Sequence, residues 1–215
     1  MQGKAAVGRY ASHFTRPAEA VMADLESYAK LLGKWQQVQN LVSRETLGQL
    51  WDRHFADSLQ ILPLLRPEDS FILDLGSGGG FPALPLAIAS LGNRRRFTLV
   101  EPTARKASFL RTVARELNLT VTVIARRSEE IDSRETGFPD VITSRALAAM
   151  PQLCAWMAPF FGANTRAILH KGREHVEELR ESGALWHHDV LTRPSDTDPS
   201  GVILTVTNLR GKSGR

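Results

Sequence analysis

The segment from Phe71 to Leu86, FILDLGSGGGFPALPL, constrains the fold of this chain more than any other stretch. A short apolar run is followed directly by a glycine-rich turn and then by a second apolar segment. A buried strand, a tight turn and a helix in this order form the first half of a β-α-β unit. Such a unit brings backbone amides and a helix start to the carboxyl edge of a parallel sheet, where ligands bind.

Further apolar runs follow, separated at first by helical segments. They predict strands at residues 71–75, 97–100, 121–124, 141–143 and 167–169, and later at 190–191 and 202–206. Helices predicted over 83–91 and 104–117 favour a parallel sheet covered on both faces. The last two runs are joined by TRPSDTDPSG, which is rich in turn formers and indicates an antiparallel pair. We therefore expect an α/β fold with a Rossmann-like, mostly parallel sheet and a C-terminal antiparallel hairpin.

Helical periodicity precedes the sheet. Apolar residues at helical spacing predict one helix over residues 17–32 and a second over 45–64. Residues 1–16 show no convincing period. We divide the chain into a mobile basic arm at 1–16, an N-terminal helical region packed on the core at 17–66, the sheet domain at 67–209 and a basic tail at 210–215.

Composition excludes several classes of protein. Hydrophobic residues make up 42% of the chain, but no apolar run approaches the roughly 18–20 residues of a membrane span. The N-terminus lacks the apolar core of a secretory signal, and Cys154 is the single cysteine. We expect a soluble, cytoplasmic protein with no membrane partner. A net charge of +4 permits an anionic partner without requiring one.

The glycine turn is not a phosphate-binding loop of either common kind. The dinucleotide fingerprint would need glycine at position 81, where this chain has Phe81, and a Walker loop would need a lysine that is absent here. We interpret the alternate glycines Gly76, Gly78 and Gly80 as positions where the backbone approaches a ligand without a phosphate. Asp74 and the amides of the turn would bind the polar ends of that ligand. The alternative is a tight turn that binds nothing.

An acidic residue, Glu101, ends the second predicted strand about 20 residues after the glycine turn, where ribose-binding carboxylates occur in related sheets. S-adenosylmethionine fits both observations, because it contains a ribose and has no phosphate. The alternative interpretation is that Glu101 only caps the helix that starts near Pro102.

Several short motifs resemble one family. They are DLGSGGGFP, VEPTARKASFL, SRA at 144–146, HKG at 170–172, KWQQVQNLVS at 34–43 and DRHFADSL at 52–59. In this order they resemble the bacterial 16S ribosomal RNA guanine-N7 methyltransferases, formerly called glucose-inhibited division protein B. The resemblance spans about residues 25–208. Ala83 and Val42 depart from the family pattern, where glycine and threonine are usual, and they put only local contacts in doubt.

The resemblance implies a class I methyltransferase sheet, S-adenosylmethionine as methyl donor, S-adenosylhomocysteine as product and no metal ion. The acceptor would be N7 of guanine 527 in the decoding-region loop of 16S rRNA, presented by the free RNA or the 30S subunit to a monomeric enzyme. Carried onto matching positions, the donor would contact Gly76, Phe81, the Ser128–Glu129 pair and Arg145, with Glu101 on the ribose.

Residue chemistry agrees with this acceptor. The Asp/Asn-Pro-Pro-aromatic segment used for exocyclic amines is replaced here by DVITSRAL. Cys154 lies in the apolar stretch QLCAWM without a neighbouring base, so we interpret it as a core residue and not as a nucleophile. Guanine N7 carries an in-plane lone pair and needs no general base. We expect Arg145, at the end of the fourth strand, to be the catalytic residue; the alternative is an ion pair with Glu101 or Glu129.

Residues for the acceptor side are less sharply indicated. Arg53, His54, Asp57 and Ser58 fall on one predicted helix, and we expect them to buttress the site or contact RNA, not to transfer a proton. Lys171, after the fifth strand, is expected near the RNA. No metal-ligand spacing includes His54. Two other functions stay open: a methyltransferase for a small molecule or protein, and a non-catalytic adenosyl- or RNA-binding assembly module.

Overall fold

The computed structural model describes residues 2–212 and is built on one seven-stranded sheet. Its strands are β1 (Phe71–Leu75), β2 (Arg96–Val100), β3 (Val121–Ile124), β4 (Val141–Arg145), β5 (Arg166–Lys171), β6 (Trp186–Pro194) and β7 (Val202–Gly211). The spatial order is β3-β2-β1-β4-β5-β7-β6. Strands β1 to β5 pair in parallel, whereas β7 is antiparallel to both β5 and β6. The expected α/β class with a C-terminal antiparallel hairpin is confirmed.

Helices surround this sheet. They are α1 (Gln2–Gly8), α2 (Ala18–Gln36), α3 (Arg44–Leu47), α4 (Asp57–Leu59), α5 (Ala83–Ala89), α6 (Ala104–Glu116), α7 (Ser133–Thr136), α8 (Met150–Met157) and α9 (His175–Leu185). Single 3₁₀ turns lie at Ala11–His13, Leu62–Leu64, Ser128–Glu130 and Ala158–Phe160. Among residues 2–212, no helix is both long enough and apolar enough to cross a membrane.

Both faces of the sheet are buried. All five residues of β1 are buried, as its uninterrupted apolar run predicts for a central parallel strand. Successive side chains alternate between faces, so Ile72 joins the core under α2, α5 and α6, while Leu73 joins the core formed with α8 and β7. Cys154 is fully buried in the second core, and burial raises the pKa of its thiol to about 12. Its interpretation as a core residue is confirmed.

The single helix predicted over 45–64 is divided into pieces. Helix α3 is followed by a π-helix at Trp51–Ala56, by the short α4 and by a 3₁₀ turn. The wider turn of a π-helix takes up one extra residue, so apolar spacing alone cannot distinguish it from a continuous α-helix. Trp51 and Phe55 pack edge to face here, with ring centroids 5.0 Å apart.

The expectation of a mobile arm at 1–16 is wrong for the residues described, and residue 1 lies outside them. Helix α1 packs on the π-helix, and Val7 is completely buried. The Tyr10 hydroxyl donates to Asp196 Oδ2 at 2.8 Å, and the Thr15 N–H donates to Ala89 O at 3.0 Å. This order comes from contacts with distant segments, which local periodicity does not report.

The expected basic tail at 210–215 also begins too early. Strand β7 continues through Gly211, pairing Arg210 with His187 and Gly211 with Trp186 of β6. The backbone N–H of Lys212 donates to Leu185 O at 3.2 Å. Residues 213–215 of the expected tail lie outside the described residues.

The buried N-terminal helix can be tested by Val7→Ala. Removing two methyl groups from a fully buried site should lower the free energy of unfolding by about 2 kcal/mol, measured by urea denaturation. Ala5→Ser, at an exposed position of the same helix, is the control. Equal stabilities of the two variants would contradict the packing of α1.

Candidate active site

A cleft lies where the strand order reverses. Strands β1 and β4 are neighbours at the centre of the sheet, and their chain connections lead away in opposite directions, which opens a crevice at their carboxyl ends. A cavity of about 420 Å³ occupies this crevice, a size typical of small-molecule sites. It is lined by Leu41, Val42, His54, Gly76, Ser77, Gly78, Gly79, Phe81, Glu101, Pro102, Thr103, Lys106, Arg145, Ala146 and Leu147.

The glycine turn forms the floor of the cavity, but its glycines serve different purposes. Gly76 and Gly80 have φ of +70° and +96°, and a Cβ atom at either would lie 2.4 Å from a leucine methyl of the protein itself, on Leu147 and Leu84 respectively. Those two glycines are therefore required by internal packing. Gly78 also has a positive φ, +54°, but a Cβ atom there would meet only its own turn, at 3.8 Å, so this backbone is open to a ligand.

Glu101 stands at the end of β2 on the cavity wall. Its Oε2 accepts the N–H of Gly78 at 2.9 Å, and its Oε1 accepts the N–H of Thr103 at 2.8 Å. The residue therefore braces the start of α6, as the capping alternative held, and at the same time lines the cavity. Each carboxylate oxygen has further lone pairs that can accept a hydroxyl.

Asp74 lies beneath the cavity and not on its wall. It is only 1% exposed, and its Oδ1 accepts the Thr143 hydroxyl at 2.6 Å from the neighbouring strand β4. Within the described part of the chain, Oδ2 has no hydrogen-bond partner. Burial is the main cause that raises the pKa of this carboxyl to about 7, and the nearby Glu101 raises it further.

The guanidinium of Arg145 connects the sheet to the π-helical segment. At the end of β4, its Nη2 donates to Arg53 O at 2.7 Å, and its Nη1 lies 3.1 Å from His54 Nδ1. Its Nε lies 3.1 Å from Asp57 Oδ2. The ion-pair partner of Arg145 is therefore Asp57, and not Glu101 or Glu129 as the alternative interpretation expected.

His54 is held as a neutral ring. Because arginine can only donate, Nδ1 of His54 must accept from Arg145, so Nε2 carries the proton and donates to Thr46 Oγ1 at 2.9 Å. Burial, together with the Arg145 charge, lowers the pKa of His54 to about 4. The ring stacks near Phe81, with centroids 4.8 Å apart. Neither nitrogen is left to take a proton from a substrate.

The remaining residues expected on the acceptor side occupy different positions. Arg53 and Asp57 line a smaller cavity beside Arg145, where Lys171 also stands. Lys171 pairs with Glu178 and donates to Ala148 O at 2.9 Å. Ser58 is fully buried, and its hydroxyl donates to His54 O at 2.6 Å, a position that buttresses the π-helix.

The Ser128–Glu129 pair lies outside the cavity lining. Ser128 is buried at the start of the 3₁₀ turn that follows β3, and Glu129 is about half exposed, 3.9 Å from the guanidinium of Arg127. Their expected contact with the donor stays a prediction carried by the family resemblance.

Sequence reasoning missed several residues that build the site. The Leu147 side chain packs over Gly76. The backbone N–H of Thr103 donates to Glu101, and the Thr46 hydroxyl accepts the N–H of His54. The loop between β6 and β7 was interpreted only as a turn, although Thr197 donates to Asp57 Oδ1. The cluster of hydroxyl and acidic residues in TRPSDTDPSG is the signal that could have indicated this contact.

Asp74→Asn tests the buried carboxyl. The folded chain holds the Asp74 proton up to about pH 7, whereas a carboxyl in the unfolded chain releases it near pH 4. The wild-type free energy of unfolding should therefore fall as pH rises between these values. Relative to the wild type, the Asn variant should gain up to about 4 kcal/mol across that window, measured by denaturation at several pH values. Asp52→Asn, at an exposed site, controls for loss of one charge, and a pH-independent difference for Asp74→Asn would contradict the account.

Comparison with proteins of known sequence agrees with this geometry. Residues 21–194 match the family model described as rRNA small subunit methyltransferase G. The protein of that name from Gluconobacter oxydans is 43% identical over 186 residues, which cover 86% of this chain and 93% of the relative. Its namesake from Parvibaculum lavamentivorans is 40% identical over 207 residues, covering 95% and 90%.

Solved structures support the fold. The TehB-like SAM-dependent methyltransferase of Corynebacterium glutamicum superimposes with a TM-score of 0.57 at 15% identity, covering 83% of this chain and 98% of its own. An O-methyltransferase from Bacillus cereus in complex with SAH gives 0.56 at 15% identity, covering 90% and 93%. The sheet is thus a class I S-adenosylmethionine methyltransferase sheet, and the chain belongs to the rRNA small subunit methyltransferase G family.

Proposed function

We propose that this protein transfers a methyl group from S-adenosylmethionine to N7 of guanine 527 in 16S rRNA. S-adenosylmethionine supplies an activated methyl group: the N7–methyl bond forms with the N7 lone pair as the S–methyl bond breaks, and the released electron pair neutralises the sulfonium. No proton leaves the base in this exchange. The protein is required to bind two partners, align them and exclude water.

The cofactor side of the cleft fits an adenosyl ligand. Glu101 presents a carboxylate whose spare lone pairs suit the two ribose hydroxyls, and Gly78 leaves the adjoining backbone uncovered. Phe81 adds an apolar surface at the opposite wall. The turn itself carries no basic residue that would favour a phosphate instead.

The engagement of His54 and Asp57, the two possible bases in contact with the Arg145 guanidinium, is the observation that supports the choice of N7. Asp57 binds Arg145 and Thr197, and both nitrogens of His54 are engaged. Acceptors that must lose a proton, such as hydroxyls and exocyclic amines, would need such a base. Guanine N7 needs none, so an aligned cleft is sufficient for its methylation.

Arg145 would act on the acceptor. Three of its five N–H groups face Arg53 O, His54 and Asp57, which leaves one N–H on each terminal nitrogen for the guanine. Guanine O6 lies on the same edge as N7 and can accept from Arg145, which leaves the single in-plane lone pair of N7 free for the methyl group. The positive charges of Arg53 and Lys171 beside it suit RNA phosphates.

Labelled methyl transfer tests the function directly. Purified protein is incubated with labelled S-adenosylmethionine and either 16S rRNA or 30S subunits from cells that lack this modification, and the labelled nucleotide is mapped. The proposal expects N7-methylguanine at position 527. Label on a small molecule or protein would support the first alternative function. Binding of S-adenosylmethionine in a calorimeter without any transfer would support the non-catalytic module.

Three further features belong to the proposal. Displacement at a sulfonium methyl requires no electrophile beyond the sulfonium itself, so we propose that transfer proceeds without a metal ion.

A complete cleft is formed by one chain, which supports a monomer as the active unit. The ribosomal RNA substrate would place the activity in the cytoplasm.

Arg145→Lys tests the role of the guanidinium. Lysine keeps a positive charge beside Asp57 but cannot contact Arg53 O, His54 and Asp57 at once from one planar group. We expect kcat to fall about a hundredfold while the Kd for S-adenosylmethionine stays within about threefold of the wild type, because the loss is one of alignment. Arg115→Lys, at an exposed position of α6, is the control. Wild-type kcat in Arg145→Lys would refute the assignment.

A further inference from the structure

The loop between β6 and β7, residues 195–201, closes a second cavity of about 210 Å³ next to the cofactor cleft. The cavity lies at the ends of β4 and β5, and it shares Arg145 and Ala146 with the larger one. Arg53, Asp57 and His170 line it from one side, and Ser195 and Asp198 line it from the loop. The cavity thus adjoins the cofactor cleft at Arg145, the residue assigned to the acceptor.

The loop is held by more contacts than a hairpin turn requires. Gln60 receives the N–H of Asp196 at 2.8 Å, and the Tyr10 hydroxyl donates to the Asp196 carboxylate. Arg53 donates to Thr197 O at 3.3 Å and to Asp198 Oδ2 at 3.1 Å. These partners all come from the N-terminal region, so the loop is fixed against the same segment that holds Arg145.

One side chain, Asp57, joins the loop to Arg145. Its Oδ1 accepts from Thr197 Oγ1 and from Gln60 Nε2 at 2.8 Å, while its Oδ2 faces Arg145 Nε at 3.1 Å. Its main-chain oxygen accepts from His170 Nε2 at 2.8 Å. A single carboxylate therefore links the position of the loop to the orientation of Arg145.

The cavity also offers hydrogen-bond acceptors. Asp198 adds a carboxylate on the loop side. The Asp198 carboxylate of the loop and the free N–H groups of Arg145 together match a base with N–H donors on one edge and acceptors on another. Guanine is such a base, with N7 and O6 on one edge and N–H groups at N1 and N2.

We propose that loop 195–201 forms a wall of the acceptor-base site and that Asp57 is a positioning residue that couples this wall to Arg145. The inference rests on the proposed function and extends it to a segment outside the motifs considered for catalysis. An unstacked guanine would enter between the loop and Arg145, as bases do in enzymes that act on a single nucleotide. The contact between Thr197 and Asp57 keeps the site at the width of one base.

Thr197→Val tests this proposal, because it removes the hydroxyl that binds Asp57 with little change in shape. Loss of a hydrogen bond to a charged group corresponds to a factor of about ten. We expect KM for rRNA to rise about tenfold and kcat to fall, with the Kd for S-adenosylmethionine unchanged. Thr197→Ser, which keeps the hydroxyl, should restore both constants. Thr192→Val, at an exposed position of β6, is the matched control and should behave as the wild type.

The outcomes separate this inference from the proposed function. If KM and kcat of Thr197→Val equal those of Thr192→Val, the role of the loop is overturned. It is also overturned if Thr197→Val weakens S-adenosylmethionine binding as much as rRNA binding, because that result would indicate collapse of the whole cleft. Methylation at an rRNA atom other than guanine N7 would overturn the proposed function alone, since the KM comparison still applies to that acceptor. Filter binding of the same rRNA by each variant, without the cofactor, gives the comparison independently of turnover.

Discussion

The cleft depends on the contacts between the Arg145 guanidinium and the π-helical segment with the residue that follows it, Asp57. One planar group, fixed at the end of β4, contacts the main chain of Arg53, the ring of His54 and the carboxylate of Asp57. A guanidinium can serve three directions at once because its donors are arranged in a rigid fork. The N-terminal helical region is thereby fixed at the carboxyl edge of the sheet, where it forms one side of both cavities.

Two acidic residues at the same edge of the sheet, Glu101 and Asp74, have different roles because their surroundings differ. Glu101 has an N–H donor on each oxygen and stands on the cavity wall. Asp74 receives one hydroxyl, and burial without a second donor raises its pKa to about 7. The first has free lone pairs that face the cavity, whereas the second joins β1 to β4 beneath it.

Much of this architecture could be predicted from the sequence, because apolar runs of a buried parallel sheet carry a strong local signal. Strands β1 and β3 begin and end where the pattern predicts, and Glu101 stands beside the glycine turn as its place after β2 indicates. The π-helix and the order of residues 2–16 depend on tertiary contacts that have no local period. The same applies to the contact of Thr197 with Asp57, which joins residues 140 positions apart.

The glycine turn carries a related lesson. Three alternate glycines suggested close approach of a ligand, yet Gly76 and Gly80 are required by positive φ angles and by the leucines packed over them. Gly78 has a positive φ as well, and it alone among the three borders open space. A glycine pattern thus indicates a turn with a confined backbone, and it does not by itself indicate a ligand.

A crystal structure of the protein with S-adenosylhomocysteine is the most direct measurement of the central claim. The account predicts the ribose hydroxyls within hydrogen-bond distance of the Glu101 carboxylate, the nucleoside over Gly78, and Arg145 still bound to Arg53 O, His54 and Asp57. A nucleoside bound elsewhere, or an Arg145 side chain released from the π-helical segment, would contradict it.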